Sequence, residues 1–382
     1  MPQALATTPL RIIHLPDVVG GHPVALSAGE RALGHASQTL SYLQSPYGYT
    51  ADRLVPGLEG GMLRRWTGRA RTFLSIRNRF DVFHFNFGRS LMSSASGRLI
   101  LGELPFYPKR AVRVMTFQGS DARTVYGPEL AASIEVERQA GRPVDAAVWS
   151  DDALAARREH RLAVIAKAAR HCDALLALNP DLLAPLPRDQ ARFFPYAIDP
   201  SVAALAQDRA SVVRQAGVPL HVVHLSTNRV YKGTALIERA LAEISARPGR
   251  PLTFEVVERR SRDEALAAIA RADIVIDQMV LGWYGAAAVE ACYMGKPLVT
   301  YISDAQAAAA PAELVADLPF VRAGHANLAD VLDGLRQSPE QLAALGPLSR
   351  AFARKWHDPL VVARQSLALY EDIRSGKAGS RP

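Results

Sequence analysis

The residues best placed to do chemistry lie between positions 273 and 302. A buried-strand pattern at 273–278 runs into a glycine-containing turn at 282–285, and the short apolar helix that follows carries a single acid, Glu290. Where a strand leads into a helix at a glycine turn, free backbone N–H groups and the helix dipole favour an anionic ligand. A lone carboxylate on that helix suits hydrogen bonds from a sugar diol such as a ribose. This stretch therefore predicts a site for an anionic ligand that contains a sugar.

A basic segment after the strand predicted at 221–226 indicates where the anion would be held. Arg229 and Lys232 follow that strand and precede a helix, with Asn228 and Gly233 beside them. An arginine can grip a phosphate through two parallel hydrogen bonds, whereas a lysine acts on it as a point charge. The segment predicts a diphosphate site, and the alternative is a solvent-exposed basic turn.

Two groups of candidate residues lie early in the chain. Gly20 and Gly21 form the turn after the first predicted strand, and His22 follows them. His84 and Asn86 alternate with three phenylalanines along another predicted strand, which puts the two polar side chains on one face. A lone histidine among aromatic residues is more often a satisfied core residue, although a second polar residue on its face weakens that interpretation.

An acid and an arginine follow the strand predicted at 111–117. Asp121 lies just past the end of this strand, and Arg123 is two residues further on. A carboxylate in this position can hydrogen-bond an incoming hydroxyl group or orient a neighbouring histidine. It can also cap the segment that follows, so both roles of Asp121 remain open.

Short β-rich runs alternate with helical patterns from residue 10 onward, as is typical of doubly wound α/β domains. In open parallel sheets, ligands bind outside the carboxyl ends of the strands. The candidate residues follow strand ends almost without exception, and two such faces opposing one another form a cleft. The predicted strands are 11–15, 37–43, 81–87, 111–117, 173–178, 192–197, 221–226, 252–257, 273–278, 298–302 and 320–322.

The chain has 382 residues, which is too long for one ordinary core. We predict an N-terminal domain over 1–200 and a C-terminal domain over 201–358. A terminal helix within 359–382 is expected to cross back onto the first domain. The stretch 199–219 is expected to connect the two domains.

The composition is that of a globular protein, with 49% apolar and 21% charged residues. The two cysteines, Cys172 and Cys292, lie in apolar contexts that suit a reducing compartment. The N-terminus shows no signal-peptide pattern, and no apolar run approaches the roughly 18 residues of a membrane span. We therefore expect a cytoplasmic protein. Few aromatic residues and no recognition module argue against nucleic acid as a partner.

The net charge of +8 is most concentrated in one basic helix. Residues 61–80 contain six arginines and no acid, and Leu63, Trp66, Ala70 and Phe73 recur at helical spacing. One interpretation is a solvated surface helix. The other is contact with an anionic lipid, either peripherally on the inner membrane face or as a lipid-pyrophosphate acceptor.

Together these segments resemble the retaining GT-B glycosyltransferases of family four, also called group 1. The stretch 228–234 is similar to the family's basic diphosphate clamp, although Arg229 and Lys232 are three residues apart and the family more often has five. The family carries two glutamates separated by seven residues. Glu290 matches the second, but the first falls on Gly282, where this chain departs from the pattern.

The resemblance implies a GT-B fold, with two Rossmann-like doubly wound parallel-sheet domains facing across a cleft. The first domain would bind the acceptor and the second the nucleotide sugar. The implied activity is retaining, metal-independent transfer of a hexosyl-type sugar from a nucleotide-diphosphate sugar to a hydroxyl group. The acceptor would be a glycan, a lipid-linked sugar or a small molecule, with polysaccharide biosynthesis as the setting. No cofactor is expected beyond this co-substrate, and the sequence contains no Asp-x-Asp metal motif.

The resemblance also implies roles for individual residues. The implied catalytic residues are His84, Asp121, Lys232 and Glu290. Residues implied to contact the donor are Gly20, Gly21, Asn228, Arg229, Lys232, Gly233, Asp277, Gln278, Tyr284, Gly285 and Glu290. Residues implied to contact the acceptor are His22, His84, Asn86, Asp121 and Arg123. Asp277, Gln278 or Tyr284 would have to replace the missing first glutamate.

Three alternatives remain open at this point. A sugar-nucleotide epimerase shares the implied fold but should carry an additional acid/base set. A catalytically silent GT-B protein that acts as an assembly partner would explain the glycine at 282. In a basic surface-binding protein, the helix at 61–80 would matter and the cleft would be vestigial.

Overall fold

The two predicted parallel-sheet α/β domains are confirmed by the structure, a computed structural model that describes residues 8–45, 48–94, 99–207 and 217–379. The first domain is built on a seven-stranded parallel sheet with the order β3-β2-β1-β4-β5-β6-β7. Its central strands are buried on both faces, as is usual for a parallel sheet covered by helices. The strands are β1 (Arg11–Leu15), β2 (Ala36–Ser41), β3 (Arg53–Leu54), β4 (Val82–Asn86), β5 (Val112–Phe117), β6 (Ala174–Ala177) and β7 (Ala191–Phe193).

Helices of the first half of the chain connect these strands. The glycine pair at 20–21 turns β1 into the first helix, and the serine side chain at 150 caps the longest one. The helices are α1 (His22–Ala32), α2 (Met62–Ile76), α3 (Pro128–Gln139), α4 (Ala146–Trp149) and α5 (Asp151–His171).

The second domain is built on a five-stranded parallel sheet with the order β12-β11-β10-β8-β9. Its strands are β8 (Leu220–Ser226), β9 (Leu252–Glu258), β10 (Ile274–Ile276), β11 (Leu298–Thr300) and β12 (Val321–Arg322). Its helices are α6 (Arg229–Lys232), α7 (Thr234–Ser245), α8 (Arg262–Arg271), α9 (Ala286–Tyr293), α10 (Asp304–Ala309), α11 (Ala312–Ala316), α12 (Leu328–Gln337), α13 (Pro339–Trp356) and α14 (Pro359–Gly379). Over the described ranges, no helix has both the length and the apolar character needed to cross a bilayer.

Each predicted strand is present, usually with shorter bounds than predicted. The strand predicted at 192–197, for example, ends at Phe193. The structure adds β3, a two-residue strand that pairs with Leu40 and Ser41 of β2. A strand this short has no alternation that a sequence pattern could reveal. In the predicted connection 199–219, a 3-10 helix covers Pro200–Leu205, and positions 208–216 lie outside the described residues.

The C-terminal helix α14 returns to the first domain and packs against α1. The backbones meet at Gly29, where an added Cβ would lie 2.2 Å from the carbonyl oxygen of Pro359. Ser366 and Tyr370 of α14 donate hydrogen bonds to the buried Glu30 carboxylate, at 3.0 and 3.3 Å. Further along, Lys377 lies 2.7 Å from the Asp173 carboxylate. The last helix therefore ties the end of the second domain to the first sheet.

The segment that holds α3 and α4 lies within the predicted first domain but packs against the second. Leu130 and Ile134 of α3 join Val230 and Val280 in one apolar cluster. The Ser133 hydroxyl group also donates to the backbone carbonyl of Val230, at 2.8 Å. The contacts of α3 therefore cross the predicted division at residue 200.

Four buried histidines are held neutral in the folded protein. Burial lowers the pKa of His22 to about 3 and the pKa values of His224 and His357 to about 4. Burial also lowers the pKa of His84 well below its ordinary value. An unfolded chain takes up protons on these groups near pH 6.5, and the native state does not. Stability is therefore lost as the pH falls below about 6.5.

We expect His22→Gln to reduce the pH dependence of stability. Each such histidine contributes a slope of up to about 1.4 kcal/mol per pH unit between roughly pH 6 and pH 4, with stability falling toward acid. The slope of the His22→Gln variant should be smaller by about that amount. Urea unfolding at a series of pH values measures it, with the exposed His160→Asn as the matched substitution. Equal slopes in the wild type and His22→Gln would contradict the prediction.

Candidate functional site

A lysine and an aspartate meet at the carboxyl ends of β8 and β10. The Lys232 ammonium group lies 2.5 Å from one carboxylate oxygen of Asp277. The other oxygen accepts a hydrogen bond from the backbone N–H of Gly285 at 2.9 Å. The ammonium nitrogen is also only 3.8 Å from the position that a Cβ on Gly285 would take. Lys232 therefore stands beside the first turn of α9.

The beginning of α9 has backbone donors available for an anion. No side chain caps this end of the helix, and Ala286 and Ala287 are only half-buried. The first N–H groups of an α-helix lack partners within the helix, and the helix dipole adds partial positive charge there. Together with the Lys232 ammonium group, this end of α9 has the chemistry of a phosphate site.

The short helix α6 sets the position of Lys232. The Asn228 side chain caps the helix by accepting a hydrogen bond from the backbone N–H of Tyr231 at 3.0 Å. Gly233 then adopts a left-handed conformation with φ of 70° and lies close to Met279. Asn228 and Gly233, both predicted to contact the donor, thus shape the turn that presents the lysine.

Arg229 is engaged by acids and does not share the position of Lys232. Its guanidinium group lies 3.1 Å from Glu137, 2.7 Å from Glu238 and 3.0 Å from Glu258. The Glu137 side chain, which comes from α3, is only 3% exposed. The predicted phosphate contact of Arg229 is therefore replaced by an ion-pair network that joins α3, α6 and α7. Glu137 is 92 residues away in sequence, so the pairing left no local signal.

Gln278 holds the loop between β10 and α9 in shape. Its side-chain amide nitrogen donates to the backbone carbonyls of Trp283 and Tyr301, both at 2.9 Å. Its oxygen accepts from the backbone N–H groups of Val280 and Leu281, at 2.7 and 2.5 Å. Because both ends of the amide are used, the predicted donor contact of Gln278 is not what the structure shows.

Tyr284 belongs to the core of the second domain. It is 1% exposed and packs edge-on against Phe320 and Phe352. Its hydroxyl group lies 3.1 Å from Nε2 of His357, whose Nδ1 lies 2.9 Å from the backbone carbonyl of Tyr196. The predicted donor contact of Tyr284 is thus also corrected, since its hydroxyl group bonds to His357 at the end of α13, which in turn contacts the segment that follows β7.

Gly282 has a left-handed backbone conformation that disfavours a larger residue, and two side chains crowd the position. It has a φ of +72°, and an added Cβ would lie 2.6 Å from the Gln306 side-chain nitrogen and 2.9 Å from the Ser303 hydroxyl oxygen. A non-glycine residue in this backbone conformation is strained even without a collision. The departure at residue 282 is therefore part of how this loop folds.

Glu290 lies on the same helix as the phosphate site, about one turn further along. It is 6% exposed, accepts a hydrogen bond from Arg262 at 3.0 Å, and lies 3.5 Å from the Tyr49 hydroxyl group. Burial raises the pKa of Glu290, and the Arg262 guanidinium group opposes that shift. The Arg262 guanidinium also covers the Tyr49 ring, 4.8 Å from its centroid. The lone acid thus faces the interdomain cleft.

The glycine turn of the first domain faces this helix. A Cβ placed on Gly20 would lie 4.0 Å from the Cβ of Ala286. Gly21 has a φ of +72°, and a Cβ there would lie 2.3 Å from the Tyr49 ring. A cavity of about 330 Å³ separates the two domains at this point, and its lining includes Gly20, Gly21, Tyr49, Asp199, Arg262 and Glu290. The structure therefore brings the predicted glycine turn and Glu290 to one cavity.

The predicted acceptor residues His22, His84 and Asn86 lie in the interior. His22 is fully buried, and its Nδ1 accepts a hydrogen bond from the backbone N–H of Ala197 at 2.9 Å. The ring nitrogens of His84 bond to the Tyr370 hydroxyl group at 2.6 Å and the Thr116 hydroxyl group at 2.5 Å. The Asn86 side chain donates to the backbone carbonyl of His84. The core interpretation of His84 is the one observed, because α14 covers this face of the strand.

Asp121 and Arg123 stabilise the loop after β5. The Asp121 carboxylate accepts hydrogen bonds from the backbone N–H groups of Gln118 and Gly119, at 3.0 and 2.7 Å, and burial raises its pKa to about 6. Arg123 pairs with Asp181 at 2.5 Å. Asp121 therefore closes its own turn, and Arg123 is held by an acid of the segment that follows β6.

Sequence reasoning missed the two residues that contact Glu290 in the cavity. Arg262 begins α8 shortly after β9, so the rule that ligands bind beyond strand ends could have indicated it. Tyr49 lies in an irregular segment between β2 and β3, where no pattern marks it. Over the described residues, no group of three or more His, Cys, Asp or Glu side chains is placed to hold a metal ion.

Two facing parallel α/β domains, with a last helix that crosses back to the first, define the GT-B fold. No protein-family model matches the sequence, and no curated protein matches it. Among solved structures, sucrose-phosphate synthase from Thermosynechococcus elongatus is similar, with a TM-score of 0.61 and 14% identity over 96% of this chain and 100% of that one. Anabaena Alr3699/HepE in complex with UDP and glucose is also similar, with a TM-score of 0.61 and 13% identity over 94% of this chain and 99% of that one. At these identities the likeness shows the fold, and it confirms the GT-B prediction.

Proposed function

We propose that this protein is a glycosyltransferase that uses a nucleotide-diphosphate sugar and transfers the sugar to a hydroxyl acceptor with retention of anomeric configuration. The observation that carries the proposal is the grouping of three features around α9. These are the Lys232 ammonium group at the uncapped end of α9, Glu290 on the same helix, and the glycine turn of the opposite domain. Each feature matches one part of a nucleotide-diphosphate sugar.

The diphosphate would lie against the first turn of α9. There the Lys232 ammonium group and the free N–H groups of the helix supply positive charge. Charge grows on the diphosphate as the bond to the sugar breaks, so donors already fixed in place stabilise the transition state more than the ground state. These groups allow a mechanism that needs no metal ion, which we include in the proposal. Lys232 is the proposed catalytic residue.

The ribose would bind at Glu290. Its carboxylate accepts hydrogen bonds well because burial leaves it few competing partners, and Arg262 holds it in place at 3.0 Å. The Tyr49 ring covers part of this region, between Gly21 and Arg262. A bound nucleotide would therefore contact or displace Tyr49. The family resemblance supports this arrangement, since Glu290 matches the ribose-binding glutamate of the retaining enzymes.

The solved structures support the donor class. Anabaena Alr3699/HepE has been solved in complex with UDP-glucose, and its chain matches this one over 99% of its length. We infer a donor of the same chemical class here. The sugar would be transferred on the face from which the diphosphate leaves, with a diphosphate oxygen taking the acceptor proton. Such a step uses no protein nucleophile, in agreement with the interior positions of His84 and Asp121.

The direct test is release of nucleoside diphosphate from a panel of nucleotide sugars in the presence of glycan and lipid-linked acceptors. We expect turnover with one nucleotide class, unchanged by EDTA, and a product whose anomeric configuration matches that of the donor by NMR. Glu290→Gln should reduce turnover about 10- to 100-fold, as expected for loss of a charged hydrogen-bond acceptor. Glu159→Gln, the same substitution at an exposed residue outside the cavity, serves as the control. An inverted product would contradict the retaining assignment.

A silent GT-B partner protein is the second candidate, because Gly282 replaces a family glutamate in a loop that does not accept a side chain there. Such a protein would bind the nucleotide sugar without releasing diphosphate under any acceptor condition. Binding without turnover would therefore favour this candidate.

A further inference from the structure

The outer face of α2 exposes large apolar side chains. The helical spacing groups Leu63 with Phe73 on one apolar face of this helix, but Leu63 is 79% exposed. Met62 is 76% exposed and Leu74 is 63% exposed, while Phe73 and Ile76 anchor the opposite side in the core. Leu63 and Leu74 are separated by about three helical turns and so lie on one face. The helix therefore exposes two leucines to solvent in addition to the apolar residues that it buries in the core.

The exposed apolar surface continues beyond the helix. Leu43 is 58% exposed and Leu54 is 44% exposed. Both line a surface groove of about 1080 Å³ that runs between α2, residues 42–44 and residues 54–60. Single exposed leucines are common on proteins, but several of them on and beside one helix mark an interaction surface.

Arginines surround these leucines. Arg64 and Arg71 line the groove from the side of α2, and Glu59 is the acid in the lining. Within the described part of the chain, no carboxylate forms a salt bridge with Arg64, Arg65 or Arg71. Arg229 of α6, by contrast, is paired with acids. Their charges are therefore available to an external anion.

We propose that this surface, defined by Leu63, Leu74, Arg64 and Arg71, is a docking face for an anionic lipid bilayer. A bilayer offers anionic phosphate at its surface and hydrocarbon directly beneath it. Arginines along a helix that also carries exposed leucines match both layers, with guanidinium groups at the phosphates and leucines below them. A soluble polyanion would use the arginines but would give the leucines no apolar environment.

The experiment is co-sedimentation of the full chain with vesicles of phosphatidylcholine alone or of phosphatidylcholine with phosphatidylglycerol. We expect binding to the anionic vesicles, weakening as salt is raised. Arg64→Glu/Arg71→Glu should reduce the affinity at least about 25-fold, at roughly fivefold per arginine removed. Leu63→Ser/Leu74→Ser should reduce it about tenfold or more, because buried apolar groups drive insertion.

Matched controls come from α5 of the same domain. Arg158→Glu/Arg170→Glu removes two exposed charges and Leu162→Ser removes one partly exposed leucine, and both variants should bind like the wild type. Thermal unfolding of every variant checks that the fold is retained.

Two results would overturn the proposal. One is wild-type protein that does not sediment with anionic vesicles at low salt. The other is binding that depends on the arginines and is unaffected by the leucine changes, with inorganic polyphosphate competing fully, which would identify a polyanion site. The assay contains no nucleotide sugar, so its result is independent of the proposed transferase activity.

Discussion

Replacing Lys232 with methionine should weaken binding of the nucleotide-diphosphate sugar about 100-fold and reduce transfer at least as much. A hydrogen bond to a charged group contributes about 1.5–3 kcal/mol, or roughly 10- to 100-fold in affinity. The variant also leaves the Asp277 carboxylate, whose side chain is 2% exposed, beside the ligand phosphate without its cation. Isothermal titration calorimetry measures the affinity directly.

Arg229→Met is the matched control. It should reduce the stability of the protein and leave its affinity for the nucleotide sugar nearly unchanged. It leaves three carboxylates without their shared cation, and one of them, Glu137, is 3% exposed. Removing one partner of a buried ion pair costs about 3 kcal/mol of stability or more. Affinity for the nucleotide sugar should stay within about threefold of wild type. Lost binding in Arg229→Met together with retained binding in Lys232→Met would reverse the roles assigned to these residues.

Gly282→Glu, which introduces the glutamate found at this position in the family that the sequence resembles, should destabilise the protein by about 3 kcal/mol or more and give no gain in transfer. The left-handed backbone costs a non-glycine residue roughly 1–2 kcal/mol, and crowding adds a further 1–3 kcal/mol. The crowding comes from Gln306 and Ser303, within 2.6 and 2.9 Å of the added Cβ. Urea unfolding measures the loss of stability.

Gly34→Glu separates the cost of the left-handed backbone from the cost of crowding. Gly34 also has a left-handed backbone, with a φ of +90°, but an added Cβ would meet nothing within 4 Å. It should therefore show the backbone contribution alone, at about half the loss expected for Gly282→Glu. If Gly282→Glu were as stable as the wild type and more active, residue 282 would be a vacant carboxylate position and the silent-partner candidate would gain support.

The fold could be predicted because its signals are local. Buried β-rich runs such as 82–86 and 220–226 alternate with helical segments, and that alternation is enough to indicate doubly wound parallel sheets. The structure also brings the glycine turn at 20–21 and Glu290 to one cavity, because strand ends meet along one edge of each sheet; their contact with a ligand stays a prediction.

The errors concern residues whose partners lie far away in sequence. His84 bonds to Tyr370, which is 286 residues distant, so no pattern around the strand could show that α14 covers it. Arg229 forms an ion pair with Glu137 of α3, a helix from the first half of the chain that packs against the second domain. Tyr284 bonds to His357 for the same kind of reason. A motif gives the type of side chain, whereas tertiary packing decides whether its polar atoms are free.

The most direct test of the donor site is thermal unfolding of the wild type, Lys232→Met and Glu290→Gln against UDP-, GDP-, ADP- and dTDP-sugars. A ligand at 100 times its dissociation constant stabilises a protein by about 2.7 kcal/mol, which gives a readily measured rise in Tm. The proposal predicts stabilisation of the wild type by one nucleotide class and a much smaller shift in both variants. No stabilisation by any nucleotide sugar, or equal stabilisation of all three proteins, would contradict a donor site at Lys232 and Glu290.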